Sequence, residues 1–258
     1  MDYQAIRVET QGGVAVVTMN RPEVMNALNA RMRAEIAHAV LNAGQTARAV
    51  VLTGEGRAFC SGQDLSDAPA GGSLDFEAVL RDEYEPMLRA ITDCPVPTLA
   101  AVNGAAAGAG ANLALAADVV IAADSASFIQ AFTRIGLMPD AGGTFWLPRQ
   151  VGMARAMGAM LFADRIAARQ AAEWGMIWEA VPDDAFTAHW RARAAHLAAG
   201  PTVAYRAIKE ALRSGWGRDL DGQLAFEARR QGECGITADF REGVTAFLEK
   251  RAPRFQGC

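Results

Sequence analysis

The sequence predicts an α/β layer fold that runs into a helical tail, and three observations carry that prediction. Short apolar runs punctuated by glycine alternate with amphipathic stretches through about residue 181. From Asp184 onward the apolar spacing is almost entirely helical. The chain's 258 residues are 51% hydrophobic, enough for one large core, or a core plus a small appendage.

Taken in order, Ile6 and Val8 alternate with polar residues, Gly12-Gly13 turns the chain and "VAVVTMN" returns it as a hairpin. "NARMRAEIAHAVLNAG" places Met32, Ile36 and Val40 on one helical face and ends near Gly44. "ARAVVLTG" reads as a short buried strand, and "GEGRAFCSGQDL" as a glycine-punctuated loop. Residues 70–73 (AGGS) read as an exposed, mobile link. The next helix carries Phe76, Leu80, Tyr84, Leu88 and Ile91 on one face, with a distortion expected at Pro86. "PTLAAVNG", "VVIAAD" and "ASFIQ" read as strands, and "AGAGANLALAAD" as a small-residue helix. Gly142-Gly143 opens a helix towards Val151, and "AARQAAEWGM" with "IWEAV" gives a further helix and strand. Tail helices are expected over 184–199, 202–213, 219–233 and 238–249. Such an amphipathic tail must pack on the core or on another subunit. The division expected is a core over 1–200 and a helical region over 201–258.

Charge and composition narrow the function. A net charge of -4 and a pI near 5.5 argue against a nucleic-acid surface, although a few local cations or helix N-termini can still hold a phosphate. Cys60, Cys94, Cys234 and Cys258 are widely spaced and form no CxxC pair, the pattern of reduced thiols in a cytoplasmic protein. The segment MDYQAIRVET is too polar for a signal peptide, and Ala105 to Ala117 is too short and weakly apolar to span a bilayer. His38, His189 and His196 lie on expected helices among polar neighbours and read as surface residues, and HExxH, GxSxG and GxxxxGK[ST] are absent. "GAGANL" matches a dinucleotide loop only in part, because the third glycine is missing.

Two small-residue loops, 56–65 and 103–115, each follow an expected buried strand. Glycine lets a ligand approach backbone N–H groups, and two converging N–H groups could bind one developing oxyanion. The equally weighted reading is tight packing of a turn on a sheet. "GLMPDAGGT" sets Asp140 in an otherwise uncharged run. It reads either as a turn acid, since Pro-Asp-Ala-Gly is good turn chemistry, or as a catalytic carboxylate lowered into a pocket.

"RPEVMNALN", "GEGRAFCSGQDL", "AAVNGAAAGAGANLALAADVVIAA", "IGLMPDAGGTFWLPRQVG" and "AAEWGMIWEAV" occur in register over essentially the whole chain. Together they resemble the crotonase (enoyl-CoA hydratase/isomerase) superfamily, and "FCSGQDL", "AGAGA", "GLMPDAGGT" and "EWGMIW" are most similar to the ring-1,2-epoxyphenylacetyl-CoA isomerases of phenylacetate degradation. The resemblance implies a ββα spiral core with a C-terminal helical trimerisation region, assembled as a homotrimer or a dimer of trimers. It implies an acyl-CoA thioester substrate, of which coenzyme A is part, and no separate cofactor, metal, nucleic acid or membrane partner. By position, the oxyanion donors are the backbone N–H groups of Gln63 and Ala109, where alanine replaces the family's usual glycine and demands an ordinary backbone conformation. CoA contacts fall on Val24, Met25, Ser61, Asp64, Leu65, Phe247 and Lys250; Asp64 also reads as a pin for the first loop, and Phe247 and Lys250 as a core aromatic and a solvated lysine. The acyl pocket falls on Asn112, Phe128, Phe132, Leu137 and Met138.

The resemblance also discriminates between reactions. Hydratases of the family share one water between two carboxylates, and the aligned positions here are Asn112 and Phe132. Neither accepts a proton, so hydration is disfavoured. Asp140 falls where isomerases keep a single acid/base, with apolar neighbours expected to raise its pKa. The activity expected is isomerisation of 2-(1,2-epoxy-1,2-dihydrophenyl)acetyl-CoA to oxepin-CoA, with 3-enoyl to 2-trans-enoyl shift as a second activity. An enoyl-CoA hydratase and a non-catalytic acyl-CoA-binding scaffold are the alternatives.

Overall fold

A computed structural model of the chain describes residues 2–67 and 75–258. The link expected at 70–73 lies outside the described residues. β1 (Ile6–Gln11) and β2 (Val14–Met19) form the hairpin that Gly12-Gly13 predicts, paired antiparallel from Ile6↔Met19 to Gln11↔Val14. α1 (Ala30–Thr46) starts where the Asn29 side chain accepts the Met32 N–H at 2.9 Å, satisfying one free donor of the first turn. β3 (Ala49–Gly54) and β4 (Ala58–Cys60) follow. α2 (Phe76–Val79) then passes through a π-helical turn, Leu80–Tyr84, into α3 (Glu85–Thr92). The distortion expected at Pro86 sits in the turn just before it. There the Glu85 N–H reaches back to the Leu80 carbonyl, and proline, which has no N–H, occupies the new first turn.

The chain continues through β5 (Thr98–Val102), β6 (Ala105–Ala107), α4 (Ala109–Leu115), β7 (Val119–Ala123), β8 (Ser127–Ile129), α5 (Gly143–Val151), α6 (Met153–Phe162), β9 (Ile166–Ala167), α7 (Ala168–Glu173) and β10 (Glu179–Val181). One sheet has six strands in the order β1-β2-β3-β5-β7-β10, parallel everywhere beyond the hairpin. A second sheet has the order β4-β6-β8-β9. Each turn of chain therefore lends one strand to each sheet before a helix: β3 and β4, β5 and β6, β7 and β8. Strands β3 and β5 are apolar along nearly their whole length because both faces are covered. Between the sheets the backbone runs close: a Cβ on Gly104 would lie 2.1 Å from the Arg57 carbonyl oxygen.

Strands β4 and β6 correct the loop reading of 56–65 and of the part of 103–115 that precedes the small-residue helix. Each is three residues long and set among glycines and small residues that read as loop. Helix α6, in a stretch to which the sequence assigns no element, is likewise a finding of the structure.

Four tail helices appear as expected: α8 (Asp183–Ala198), α9 (Thr202–Gly215), α10 (Leu220–Gly235) and α11 (Ala238–Leu248). They are not equivalent. α8 buries Phe186, Trp190, Ala194 and Ala198 against the core. On α9 only Lys209 is buried, its Nζ donating to the Cys94 and Val96 carbonyls at 2.7 and 2.8 Å and pairing with Asp118. Between α9, α10 and α11 lies an apolar groove of about 1000 Å³, lined by Leu212, Leu224, Phe240, Val244 and Phe247 among others. Among the described residues, no helix is long and apolar enough to cross a membrane.

Candidate active site

Strands β4 and β6 end side by side, and the turns that leave them meet. Gly62 follows β4 with φ +94°, and a Cβ there would sit 2.7 Å from the Ala107 carbonyl oxygen and 3.3 Å from the Ala109 nitrogen. Gly108 follows β6 with φ 52° and ψ -126°, a conformation that a side chain disfavours strongly. Only glycine at both points brings these backbones together. Ala109 is then the first residue of α4 and keeps ordinary helical geometry, as the sequence requires of an alanine there. A first-turn helical N–H has no intrahelical acceptor. Gln63 makes an isolated parallel bridge to Leu28: the Leu28 N–H donates to the Gly62 carbonyl at 2.7 Å and the Asp64 N–H to the Leu28 carbonyl at 3.1 Å. That pattern turns the N–H of Gln63 itself away from Leu28, and among the described residues no acceptor pairs with it or with that of Ala109.

Both residues line a cavity of about 280 Å³, whose walls include Leu65, Phe76, Leu80, Tyr84, Phe132, Leu137 and Asp140. Asp140 also lines an adjoining cavity of about 630 Å³, walled by Leu88, Met138, Phe145 and Trp146. It thus stands at the junction of the two. It is the only acid among the described residues that line the smaller cavity. Its Oδ1 is buried without a hydrogen-bond partner, and burial raises its carboxyl to about 6.

Asp140's backbone, unlike its carboxyl, is held firmly. Its carbonyl accepts the Gly143 N–H at 2.8 Å and Asn112 Nδ2 at 2.8 Å, while Asn112 Oδ1 accepts Gln130 Nε2 at 2.8 Å. Asn112 is fully buried. Its expected place in the acyl wall is therefore corrected: its Nδ2 is committed to the turn that presents Asp140 and its Oδ1 to Gln130. Phe128 is corrected in the same way, being fully buried in the core and absent from both cavity walls. Phe132, Leu137 and Met138 do line them.

The residues carried over as CoA contacts divide into three groups. Val24, Met25 and Ser61 come together on a partly exposed rim, with the Ser61 N–H donating to the Met25 carbonyl at 3.0 Å and its hydroxyl to that of Val24 at 3.3 Å. Leu65 and Ser61 reach the smaller cavity. Asp64 is buried and turned inward, accepting from Arg21 Nη1 at 2.8 Å and from Ser66 Oγ at 2.6 Å. Burial alone would raise its carboxyl, but the Ser66 and Arg21 hydrogen bonds outweigh that and hold it below the usual carboxylate range. It pins the loop, as one of its two sequence readings has it. Phe247 lies on the apolar groove of the tail and Lys250 just beyond α11, and neither lines the Asp140 cavities. The three histidines also stay outside them, His38 bonding Tyr3 and His189 bonding Glu179.

Sequence reasoning took Tyr84 only as part of an apolar helix face. In the structure its ring lines both cavities and its hydroxyl donates to Gln63 Oε1 at 2.8 Å. A tyrosine on a buried helix face must find a partner for its polar tip, and that was the available signal.

The chain resembles known proteins over nearly its full length. A family model described as "Enoyl-CoA hydratase/isomerase" matches residues 9–258. A Rhodobacter capsulatus protein named "Probable enoyl-CoA hydratase" is 68% identical over 257 residues, covering 100% of both chains. The 1,2-epoxyphenylacetyl-CoA isomerase of Escherichia coli is 46% identical over 250 residues, covering 95% of both. The crystal structure of an enoyl-CoA hydratase from Bacillus anthracis superposes with a TM-score of 0.91 at 34% identity, over 99% of this chain and 100% of that one.

Proposed function

The chain belongs to the enoyl-CoA hydratase/isomerase family and has its crotonase fold; from that premise we propose that it is an acyl-CoA isomerase with Asp140 as its single acid/base. The carrying observation is the buried, unpartnered carboxylate oxygen of Asp140 in a largely apolar cavity also lined by Gln63 and Ala109, whose main-chain N–H groups find no acceptor among the described residues. In this reading the two N–H groups hold the thioester carbonyl oxygen. Asp140 takes a proton from the α-carbon, the electron pair passes into the carbonyl, and the enolate is stabilised by the two donors. Mutagenesis of such donors in other enzymes puts one at roughly 3–4 kcal/mol. Asp140 returns the proton to a different carbon, so composition is conserved and only bonds are rearranged. For a 3-enoyl ester these steps move a proton and shift the double bond; for the epoxide, the C–C bond shared by the oxirane and the six-membered ring also breaks as the ring expands to the oxepin, and neither route calls for metal or redox cofactor.

Hydration would require a second carboxylate to share the water. Asn112, at one of the aligned positions, is committed to the Asp140 turn, and Phe132, at the other, presents a ring to the cavity. For the acyl group we favour 2-(1,2-epoxy-1,2-dihydrophenyl)acetyl-CoA, giving oxepin-CoA, with 3-enoyl-CoA as a second substrate. Support comes from the 46% identical relative and from a cavity lined by Phe76, Tyr84 and Phe132. The setting proposed is cytoplasmic, consistent with four cysteines that are all free.

The test is a panel of CoA esters (the epoxide of phenylacetyl-CoA, a 3-enoyl and a 2-enoyl) with products identified by mass and NMR in deuterated solvent. Isomeric products with deuterium entering at carbon support the reading. Efficient conversion of crotonyl-CoA to 3-hydroxybutyryl-CoA overturns it in favour of a hydratase. Tight binding with neither product nor deuterium exchange marks a non-catalytic acyl-CoA binder.

A further inference from the structure

The cavity of about 280 Å³ beside Gln63 and Ala109 and the adjoining one of about 630 Å³ meet at a neck, where Phe76, Leu80, Tyr84, Leu137 and Asp140 line both. An acyl group leaving a thioester held at Gln63 and Ala109 therefore has an apolar route past Asp140 into the larger space. That space has a far wall. Arg89, Thr92, Phe145 and Trp146 line it, and the same four residues line a third cavity of about 670 Å³ beside α9. They stand between the two spaces.

Trp146 is the largest of the four, and the fold clamps it. Its backbone N–H donates to the Gly142 carbonyl at 2.9 Å in the first turn of α5. Its ring meets that of Phe145 edge-on, with centroids 4.6 Å apart at 88°. The Arg213 guanidinium, paired with Asp118 at 2.7 Å, lies 5.8 Å from the indole centroid. A Cβ on Gly142 would lie 2.5 Å from Trp146 Nε1, so glycine is what lets the indole rest against the turn that carries Asp140. A buried indole N–H ordinarily finds an acceptor. That of Trp146 is buried and has none among the described residues. The residue contributes bulk at this position, not a hydrogen bond.

We infer that Trp146 determines acyl length: it ends the space beyond Asp140, so the protein takes short-chain and single-ring acyl groups and rejects long-chain acyl-CoA esters. The inference rests on the reading that the thioester sits at Gln63 and Ala109, and adds how far the acyl group can extend from there. A small side chain at position 146 would join the second cavity to the third.

The experiment uses the full-length protein with trans-3-hexenoyl-, trans-3-decenoyl- and trans-3-tetradecenoyl-CoA. It measures kcat/KM for each, and by calorimetry the Kd of the saturated esters of the same lengths. Wild type should favour the hexenoyl over the tetradecenoyl ester about a hundredfold, since each methylene without room costs tenfold or more. Trp146→Ala should narrow that preference about tenfold or more, and Trp146→Phe about threefold. A role in folding alone would lower all three esters together and leave the preference where it was. Should the Trp146→Ala protein not fold, Trp146→Phe, which keeps an aromatic ring beside Phe145, decides alone. A wild type that accepts the tetradecenoyl ester as readily as the hexenoyl, or a folded variant with the wild-type preference, overturns the inference. Kd preferences that shift as expected while no ester is isomerised leave the wall standing and remove the isomerase reading. Isomerised esters with unshifted preferences do the reverse.

Discussion

Asp140 is costly to the fold and useful for the same reason. Burial moves its carboxyl from 3.8 to about 6, so between those pH values the folded chain holds a proton that the unfolded chain has lost. Stability therefore falls as pH rises from about 4 to about 6 and stays at the lower level above. Full desolvation would make the cost roughly 3 kcal/mol, and partial contact with solvent brings it nearer 2. In the proposed mechanism the base must be ionised to act, so kcat/KM should climb with pH through about 6 and then level. Asp140→Asn should lose about 10³-fold in turnover, within the range that a positioned acid/base supplies, and should melt at a higher temperature than wild type at pH 7. Turnover by pH-jump assay and calorimetry at pH 4 and 7 check the two halves: the melting advantage should vanish at pH 4. Undiminished turnover removes Asp140 from the mechanism. At this scale the sequence is only half informative. An aspartate in Pro-Asp-Ala-Gly is good turn chemistry whether or not it reacts, and what separates the two readings, an unpartnered oxygen in an apolar cavity, depends in part on residues such as Leu65, Phe76 and Tyr84, more than 50 positions away.

At the scale of elements, the site is the place where two short strands stop. β4 and β6 deliver Gly62 and Gly108 to the same spot, and α4 begins there because Gly108 reverses the chain. Gly62→Ala should force the two turns apart, since its Cβ meets the Ala107 carbonyl at 2.7 Å and its φ is +94°. The expected outcome is a loss of roughly 1–3 kcal/mol in stability together with most of kcat, measured by denaturant unfolding and steady-state assay. Gly12→Ala is the matched control: its φ is +59°, but nothing lies within 4 Å, so it should cost stability without touching turnover. Equal losses of kcat in the two would detach the β4–β6 junction from function. The long, strongly periodic elements were legible in the sequence: the hairpin, α1, β3, β5 and the four tail helices. β4 and β6 were not, because AFC and AAA sit among glycines and small residues that read as loop, and their identity is fixed by pairing with strands 22 to 47 positions distant. Asn112 was misplaced for a related reason. Position in a motif says where a side chain starts, whereas its partners Asp140 and Gln130 decide which way it faces.

The whole molecule leaves apolar surface that one copy of the chain does not cover. Leu212, Leu224, Phe240, Phe247 and Leu248 are all exposed on α9 to α11, around a groove of about 1000 Å³. Patches of this size usually mark an interface. Phe247 and Lys250, carried over as CoA contacts, lie outside the cavities that hold Asp140 in their own chain. Both facts are reconciled if the tail of one copy closes against the next and brings those residues to a neighbour's CoA. Light scattering on the purified protein should then give a mass three or six times 27.4 kDa. Leu212→Glu places a charge in the groove and should shift the mass downward, raising KM for the CoA ester more than it lowers kcat per site, since Asp140, Gln63 and Ala109 line one cavity within a single chain. Asp140→Asn should leave the mass unchanged. A wild-type monomer that binds acyl-CoA normally would show instead that the tail serves neither assembly nor the ligand, and the exposed helices would then need another partner.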